Sequence, residues 1–124
     1  MNKPEIIGMH HVSLLVADTG KALEFYSELL GLQQVERPQL AFPGAWLRLG
    51  DQQIHLLELE NPDPVADRPE HGGRDRHLAV TVSDLNAAIA VLKGAGISYT
   101  LSRSGRAALF CRDPDGNALE IIEA

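Results

Sequence analysis

The sequence predicts an α+β fold built from two tandem βαβββ modules, and three observations predict it. The stretch His11–Tyr26 returns as His77–Leu92, placing His11 on His77, Asp18 on Asp84 and Ala22 on Ala88 at one constant offset. Within each copy the apolar period switches at the aspartate from two to about 3.6, the mark of a strand running into an amphipathic helix. Further along, His55-Leu56-Leu57-Glu58 is echoed by Glu120-Ile121-Ile122-Glu123, so the last strand of each half repeats as well.

The elements follow in order. Met9–Ala17 is rich in Val, Leu and Ser and ends at Asp18-Thr19-Gly20, which reads as a strand closed by turn residues. Period two sets His11, Ser13 and Leu15 on one face and Val12, Leu14 and Val16 on the other. Thr19–Leu30 has helical apolar spacing at Ala22, Leu23, Phe25, Tyr26, Leu29 and Leu30, and Gly31 is placed to end it. Gln33–Arg37, Ala45–Leu49 and Gln53–Leu59 read as three short strands, with Gly50-Asp51 as a tight turn. In the last of them His55, Leu57 and Leu59 share a face with Gln53, whereas Glu58 points the other way. Asn61–Asp75, dense in Pro, Gly and charge, is the connector between module one (about 7–60) and module two (about 76–124), and a connector of this length is often functional. The second module repeats the pattern: strand Arg76–Val82, helix Asp84–Lys93 capped by Ser83 or Asp84 and stopped at Gly94-Ala95-Gly96, then strands Ser98–Ser102, Ala107–Arg112 and Ala118–Glu123. Asp113-Pro114-Asp115-Gly116-Asn117 is turn chemistry joining the last two strands.

At 124 residues the chain is long enough to bury one shared core and too short for two independent ones. A net charge of −6 with no basic run argues against nucleic acid, whose binding requires phosphates to be neutralised. The apolar runs are far short of the roughly 20 residues that cross a bilayer, so no membrane partner is expected. A lone Cys111 and the absence of a signal-like apolar segment after Met1 point to the cytoplasm.

Related halves tend to pack about a pseudo-twofold axis, so equivalent positions are expected to converge. His11 pairs with His77 and His55 with Glu120, giving three imidazoles and one carboxylate, a set suited to Zn, Ni, Mn or Fe(II) and poor in oxygen for Ca or Mg. His10 has the opposite parity to His11, and His71 lies in the connector, so neither is taken as a ligand. Asp113 and Asp115 read as turn residues, and Cys111 as packing.

Taken together, His11-Val12-Ser13-Leu14, Asp18, Phe25-Tyr26, Leu30-Gly31-Leu32, His77-Leu78-Ala79-Val80, Asp84 and Asp113-Pro114-Asp115-Gly116-Asn117 with Leu119-Glu120 resemble the vicinal oxygen chelate superfamily. That superfamily includes glyoxalase I, methylmalonyl-CoA epimerase, fosfomycin resistance proteins, extradiol dioxygenases and bleomycin-binding proteins. The resemblance covers nearly the whole chain. It implies a curved mixed sheet around a central metal cavity, helices on its outer face, and a homodimer. It carries metal ligation onto His11, His77 and Glu120. At the position of His55 glyoxalases usually have Glu, and epimerases Glu or Gln.

The resemblance implies a glyoxalase-type lyase or isomerase that acts on a small oxygenated metabolite through a metal-stabilised enediolate or alkoxide, with Glu120 as proton carrier. It also turns the strand faces of Trp46 and Phe110 inward as substrate walls, with Arg48 as partner for a substrate carboxylate. Two other readings stay open. Fe(II)-dependent ring cleavage uses two histidines and one glutamate. A metal-free module of the bleomycin-binding kind sequesters its ligand, but such proteins lack the ligand residues that this chain retains.

Overall fold

The computed structural model describes residues 2–124. Module one contains β1 (His11–Val16), α1 (Thr19–Leu23), β2 (Gln34–Val35), β3 (Gly44–Leu49) and β4 (Gln52–Glu58). Module two contains β5 (His77–Val82), α2 (Leu85–Gly94), β6 (Tyr99–Leu101), β7 (Ala108–Arg112) and β8 (Ala118–Glu123). Each module forms a four-stranded mixed sheet, ordered β1-β4-β3-β2 and β5-β8-β7-β6. Each of the two expected modules thus contributes one mixed ladder, with β1 and β5 as edge strands. In each, the outer pair (β1 with β4, β5 with β8) is parallel and the others are antiparallel.

Both helices begin where the repeated aspartates stand. Asp18 Oδ1 accepts from the backbone N–H of Lys21 at 3.1 Å, and Asp84 Oδ1 accepts from Asn86 at 3.0 Å and Ala87 at 3.4 Å. Each cap satisfies donors that the first helical turn leaves without partners. A second repeated carboxylate supports each start: Glu58 accepts from Thr19 N–H at 2.8 Å, and Glu123 from Leu85 N–H at 3.0 Å. Glu58 thus faces its helix and turns away from His55, as its parity requires. The first helix departs from the expected Thr19–Leu30 by widening into a π-helical stretch over Glu24–Leu29, seen in the 3.0 Å bond from Leu30 N–H to Phe25 O. Gly31, at φ +80°, then lets the chain leave the helix.

Ladder register sorts every strand residue onto one of two faces. Val12, Leu14, Leu47, Ile54 and Leu56 from one sheet, and Leu78, Val80, Leu109, Leu119 and Ile121 from the other, pack with Ala22, Phe25, Tyr26, Leu85 and Leu92 of the helical segments in a single apolar cluster. Each large side chain fully buried there contributes about 1.5–3 kcal/mol, which is why neither module is expected to stand alone. The modules are also tied by polar contacts at the β7–β8 turn. The Tyr26 hydroxyl donates to Asp113 Oδ2 at 2.6 Å, Asn117 Nδ2 donates to Leu15 O at 3.2 Å, and Ala17 N–H donates to Asp115 Oδ1 at 2.8 Å. The two aspartates of the turn are therefore structural.

Other departures are local. Strand β2 is shorter than the expected 33–37, because Arg37 turns its guanidinium to Phe42 O and the chain leaves the sheet before Pro38. The connector contains a 3₁₀ turn, Gly72–Arg74, pressed onto module two: a Cβ on Gly72 would meet Phe110 Cβ at 3.2 Å and Ala118 Cβ at 3.4 Å. No helix is long and apolar enough to cross a membrane.

Candidate metal centre

The faces turned away from the shared core carry the candidate site residues. Across the first sheet, register aligns Ser13, His55, Trp46 and Val35 in one row and His11, Gln53 and Arg48 in the next. Across the second, the corresponding rows are Ala79, Glu120, Phe110 and Thr100, then His77, Ala118 and Arg112. The duplication is thus preserved row by row: His55 with Glu120, Trp46 with Phe110, His11 with His77, Arg48 with Arg112.

In module one, His55 lies between two rings. Trp46 stacks on it with centroids 4.0 Å apart and planes 4° apart, and His11 with centroids 4.0 Å and planes 20° apart. The His55 Nε2 is 2.8 Å from Gln53 Oε1, and His11 Nδ1 is 2.8 Å from His10 Nδ1. His55 is only 7% exposed, and its pKa is lowered, first by burial and then by the neighbouring His11, His10 and Arg37 charges. Both effects favour the uncharged ring.

In module two, Glu120 is 2% exposed and its carboxylate is held from two sides. His77 Nε2 lies 3.3 Å from Oε1, and the Arg106 guanidinium lies 3.1 Å from Oε2. The other nitrogen of His77, Nδ1, donates to the backbone carbonyl of Asp75 at 2.9 Å, which leaves Nε2 as the nitrogen facing Glu120. Asp75 is itself pinned by Arg68 (2.7 and 2.9 Å) and Arg112 (2.8 Å). Phe110 packs edge-on against both His77 and His71, with centroids 5.1 and 4.9 Å apart. His71 is buried, with Nδ1 2.7 Å from Thr100 Oγ1. Burial first, then Arg103 and Arg74, lower its pKa.

The four candidate ligands therefore come together as two pairs, His11 with His55 and His77 with Glu120. Among the described residues no three His, Cys, Asp or Glu side chains converge in a metal-binding group. A buried carboxylate facing an imidazole nitrogen whose ring partner is already bonded to a carbonyl is the arrangement of a prepared half-site for a borderline divalent ion. The donor chemistry suits such an ion, and within one chain the four side chains stand as two separate pairs. A cleft of about 580 Å³ opens between the β1 and β5 edges, lined in part by Ser13, His77, Ala79 and Ala118. Trp46 and Phe110 stand beside the two pairs, as walls would. Arg48 is exposed on the same face, and no hydrogen bond or ion pair of its guanidinium is found among the described residues.

Two participants, Gln53 and Asp75, were not identified from sequence. Gln53 bonds His55, and its shared parity with His55 was the available signal. Arg106 and Asp75 act through loops, whose reach no periodicity encodes.

Comparison with known proteins bears on the fold as a whole. The family model described as Glyoxalase/Bleomycin resistance protein/Dioxygenase superfamily matches residues 8–121. Glyoxylase I 4 of Arabidopsis thaliana is 30% identical over 126 residues, covering 97% of this chain and 72% of that protein. The lactoylglutathione lyase of Haemophilus influenzae is 30% identical over 122 residues, covering 91% and 90%. The crystal structure of a Bacillus anthracis protein assigned to the glyoxalase family superposes with a TM-score of 0.80 at 26% identity, covering 98% of each chain. With the duplicated βαβββ modules and the paired histidine positions already in view, these similarities establish that the chain belongs to the glyoxalase/bleomycin resistance/dioxygenase superfamily, the vicinal oxygen chelate fold.

Proposed function

We propose that this chain is a metal-dependent lyase or isomerase of the glyoxalase type, acting on a small oxygenated metabolite that offers two adjacent oxygens. The observation that carries the reading is the buried Glu120 carboxylate, bracketed by His77 Nε2 and the Arg106 guanidinium. Relatives named as glyoxalase and lactoylglutathione lyase support the reaction class. His11, His55, His77 and Glu120 make the metal environment, completed when the His11–His55 face of one copy meets the His77–Glu120 face of a second. A homodimer is therefore part of this reading, because each pair alone is half a site.

A divalent ion bound there supplies Lewis-acid polarisation of the substrate oxygens. The chain's own groups do the rest. Glu120 takes a proton from a carbon next to a carbonyl and returns it to the neighbouring carbon. Arg106 holds the carboxylate in place between the two transfers. Trp46 and Phe110 exclude water from the reacting carbons, and Arg48 binds a substrate carboxylate with a charge-assisted hydrogen bond.

The test is the elemental content of protein purified without tag or chelator, on wild type and on Glu120→Ala. Near-stoichiometric Ni, Zn or Mn in wild type that falls in the variant is the expected result. Iron with oxygen uptake on catechols would move the assignment to ring cleavage. A wild type that neither holds nor takes up any of these metals would make the chain a ligand-sequestering module.

A further inference from the structure

Asp75 ends the connector, and every polar atom it has is committed. Its Oδ2 accepts from Arg68 Nε at 2.7 Å and from Arg112 Nη1 at 2.8 Å. Its Oδ1 accepts from Arg68 Nη2 at 2.9 Å and from the Arg76 N–H at 2.8 Å. Its own N–H donates to Gly72 O at 3.1 Å, and its carbonyl faces the His77 ring, with Nδ1 2.9 Å away. The two arginines are anchored in turn. Arg68 also holds Pro64 O, and Arg112, at the end of β7, also holds Gly116 O and Pro69 O. The Asp75 side chain is only 10% exposed, so these charge-assisted bonds are shielded as surface pairs are not.

A carbonyl oxygen can only accept, so the His77 proton that faces it sits on Nδ1. The nitrogen left to bind an ion is Nε2, the one 3.3 Å from Glu120. Module one has no such device. The position equivalent to Asp75 is Met9, whose side chain stands 64% exposed. The one hydrogen bond of the His11 ring found among the described residues joins its Nδ1 to His10 Nδ1. Two imidazoles that meet through Nδ1 share one proton, which can reside on either ring, so the free nitrogen of His11 is not fixed.

We propose that Arg68, Asp75 and Arg112 are positioning residues for His77: the clamp fixes the end of the connector so that the Asp75 carbonyl holds the ring with Nε2 turned to Glu120. This rests on the metal-dependent reading above and deepens it. Module two presents a ligand whose orientation is set before any ion arrives, and a ring already held loses less freedom on binding. Module one presents a histidine that is oriented only as the site is completed.

The experiment titrates metal-free protein with Zn(II) and follows the imidazole N–H signals by nitrogen-15 NMR, for wild type, Arg68→Met, Arg68→Lys and Tyr26→Phe. The Arg68 guanidinium bonds Asp75 and Pro64 O, whereas Tyr26→Phe loosens the fold at Asp113, away from the clamp. Arg68→Met is expected to bind Zn(II) about 10–100-fold more weakly, the cost of removing a group that orients a ligand. It is also expected to lose the His77 Nδ1–H signal to solvent exchange, while the His11 signals stay as in wild type. Arg68→Lys keeps a charged bond to Asp75 and is expected to recover most of the affinity, and Tyr26→Phe to match wild type in both readouts. Wild-type affinity with an intact Nδ1–H signal in folded Arg68→Met overturns the proposal and leaves the metal reading intact. So does a loss of affinity that Tyr26→Phe shares, since that marks general loosening. If Arg68→Met does not fold, wild type alone decides: the His77 Nδ1–H is expected to exchange more slowly than any His11 ring N–H, and equal rates overturn the proposal. A wild type that binds no Zn(II) overturns the metal reading and this inference with it.

Discussion

The two outer faces of this chain began as copies and now do different work. In the first module the row of His11, Gln53 and Arg48 lies open, and the Arg48 guanidinium is exposed on it. In the second, the equivalent row of His77, Ala118 and Arg112 lies beside the connector. Arg112 bonds Asp75 Oδ2 and Gly116 O at 2.8 Å each, and also Pro69 O. One arginine position has thus become structural while its counterpart stayed available. The same split separates the carboxylate row, where Glu120 replaces a histidine and gains Arg106 as a partner. Duplication sets out equivalent positions, and loops of unequal length then decide which of them are tied down.

The comparison can be broken most directly at Glu120. If the second module carries the proton transfer, Glu120→Ala should lower kcat by about 10²–10⁴-fold, measured by steady-state kinetics on a small substrate with two adjacent oxygens, the class proposed above. A comparable loss from His55→Gln would place the chemistry in the first module.

The next largest effect is on stability. Asp113 accepts from the buried Tyr26 hydroxyl and from the backbone N–H groups of Asp115 and Asn117, at 2.6, 2.8 and 2.9 Å. Removing it by Asp113→Ala leaves buried donors unpaired and should cost about 3 kcal/mol in urea unfolding. Asp51, in the equivalent turn of module one, is exposed, and Asp51→Ala should cost no more than about 0.5 kcal/mol. Equal costs would mean that the inter-module clamp contributes nothing.

The connector supplies a pH signature that module one lacks. The carboxyl of Asp75 lies well below the ordinary carboxylate range, chiefly through its Arg68 hydrogen bond, opposed by burial and aided by Arg112 and the Arg76 backbone N–H. A depressed carboxyl stabilises the fold above its unfolded-state pKa and loses that contribution as pH falls towards the folded one. Asp75→Asn should therefore cost about 2 kcal/mol at neutral pH. The gap between the two unfolding curves should narrow only below roughly pH 4.

Smaller effects separate the two arginines and the single thiol. Arg48→Met should leave stability within about 0.5 kcal/mol and raise KM for a carboxylate-bearing substrate about tenfold at constant kcat, the sign of lost uniform binding. Arg112→Met should do the reverse, lowering the melting temperature with little change in KM. Cys111 is buried on the core face of β7, its pKa pushed up to about 12 by burial and by Asp113. It should resist a disulfide reagent at pH 8 until denaturant is added. Rapid labelling of the folded protein would show that this face opens.

What the sequence determined by itself was everything carried by period and by local chemistry. The pleat repeats every two residues, so the parity of His11, Ser13, His55 and Glu58 was readable before any fold was known, and the ladders follow it. The Gly31 exit and the Asp-Pro-Asp-Gly turn depend on residues a few positions apart and are found where the sequence placed them, while of Ser83 or Asp84 it is Asp84 that caps the second helix, and Asp18, read only as a turn residue, caps the first. The duplication itself was legible because it is a statement about sequence. Only the tertiary structure decided what depends on distance across the chain. It showed that the four candidate positions gather as two pairs, that Arg106 reaches Glu120 from a hairpin tip, that Gln53 bonds His55 Nε2, and that the connector claims Arg112. The reason is physical. A strand or helix constrains its side chains through fixed backbone geometry, so its pattern is written locally. The reach of a loop depends on where packing leaves its ends, and nothing in the local order of its residues encodes that.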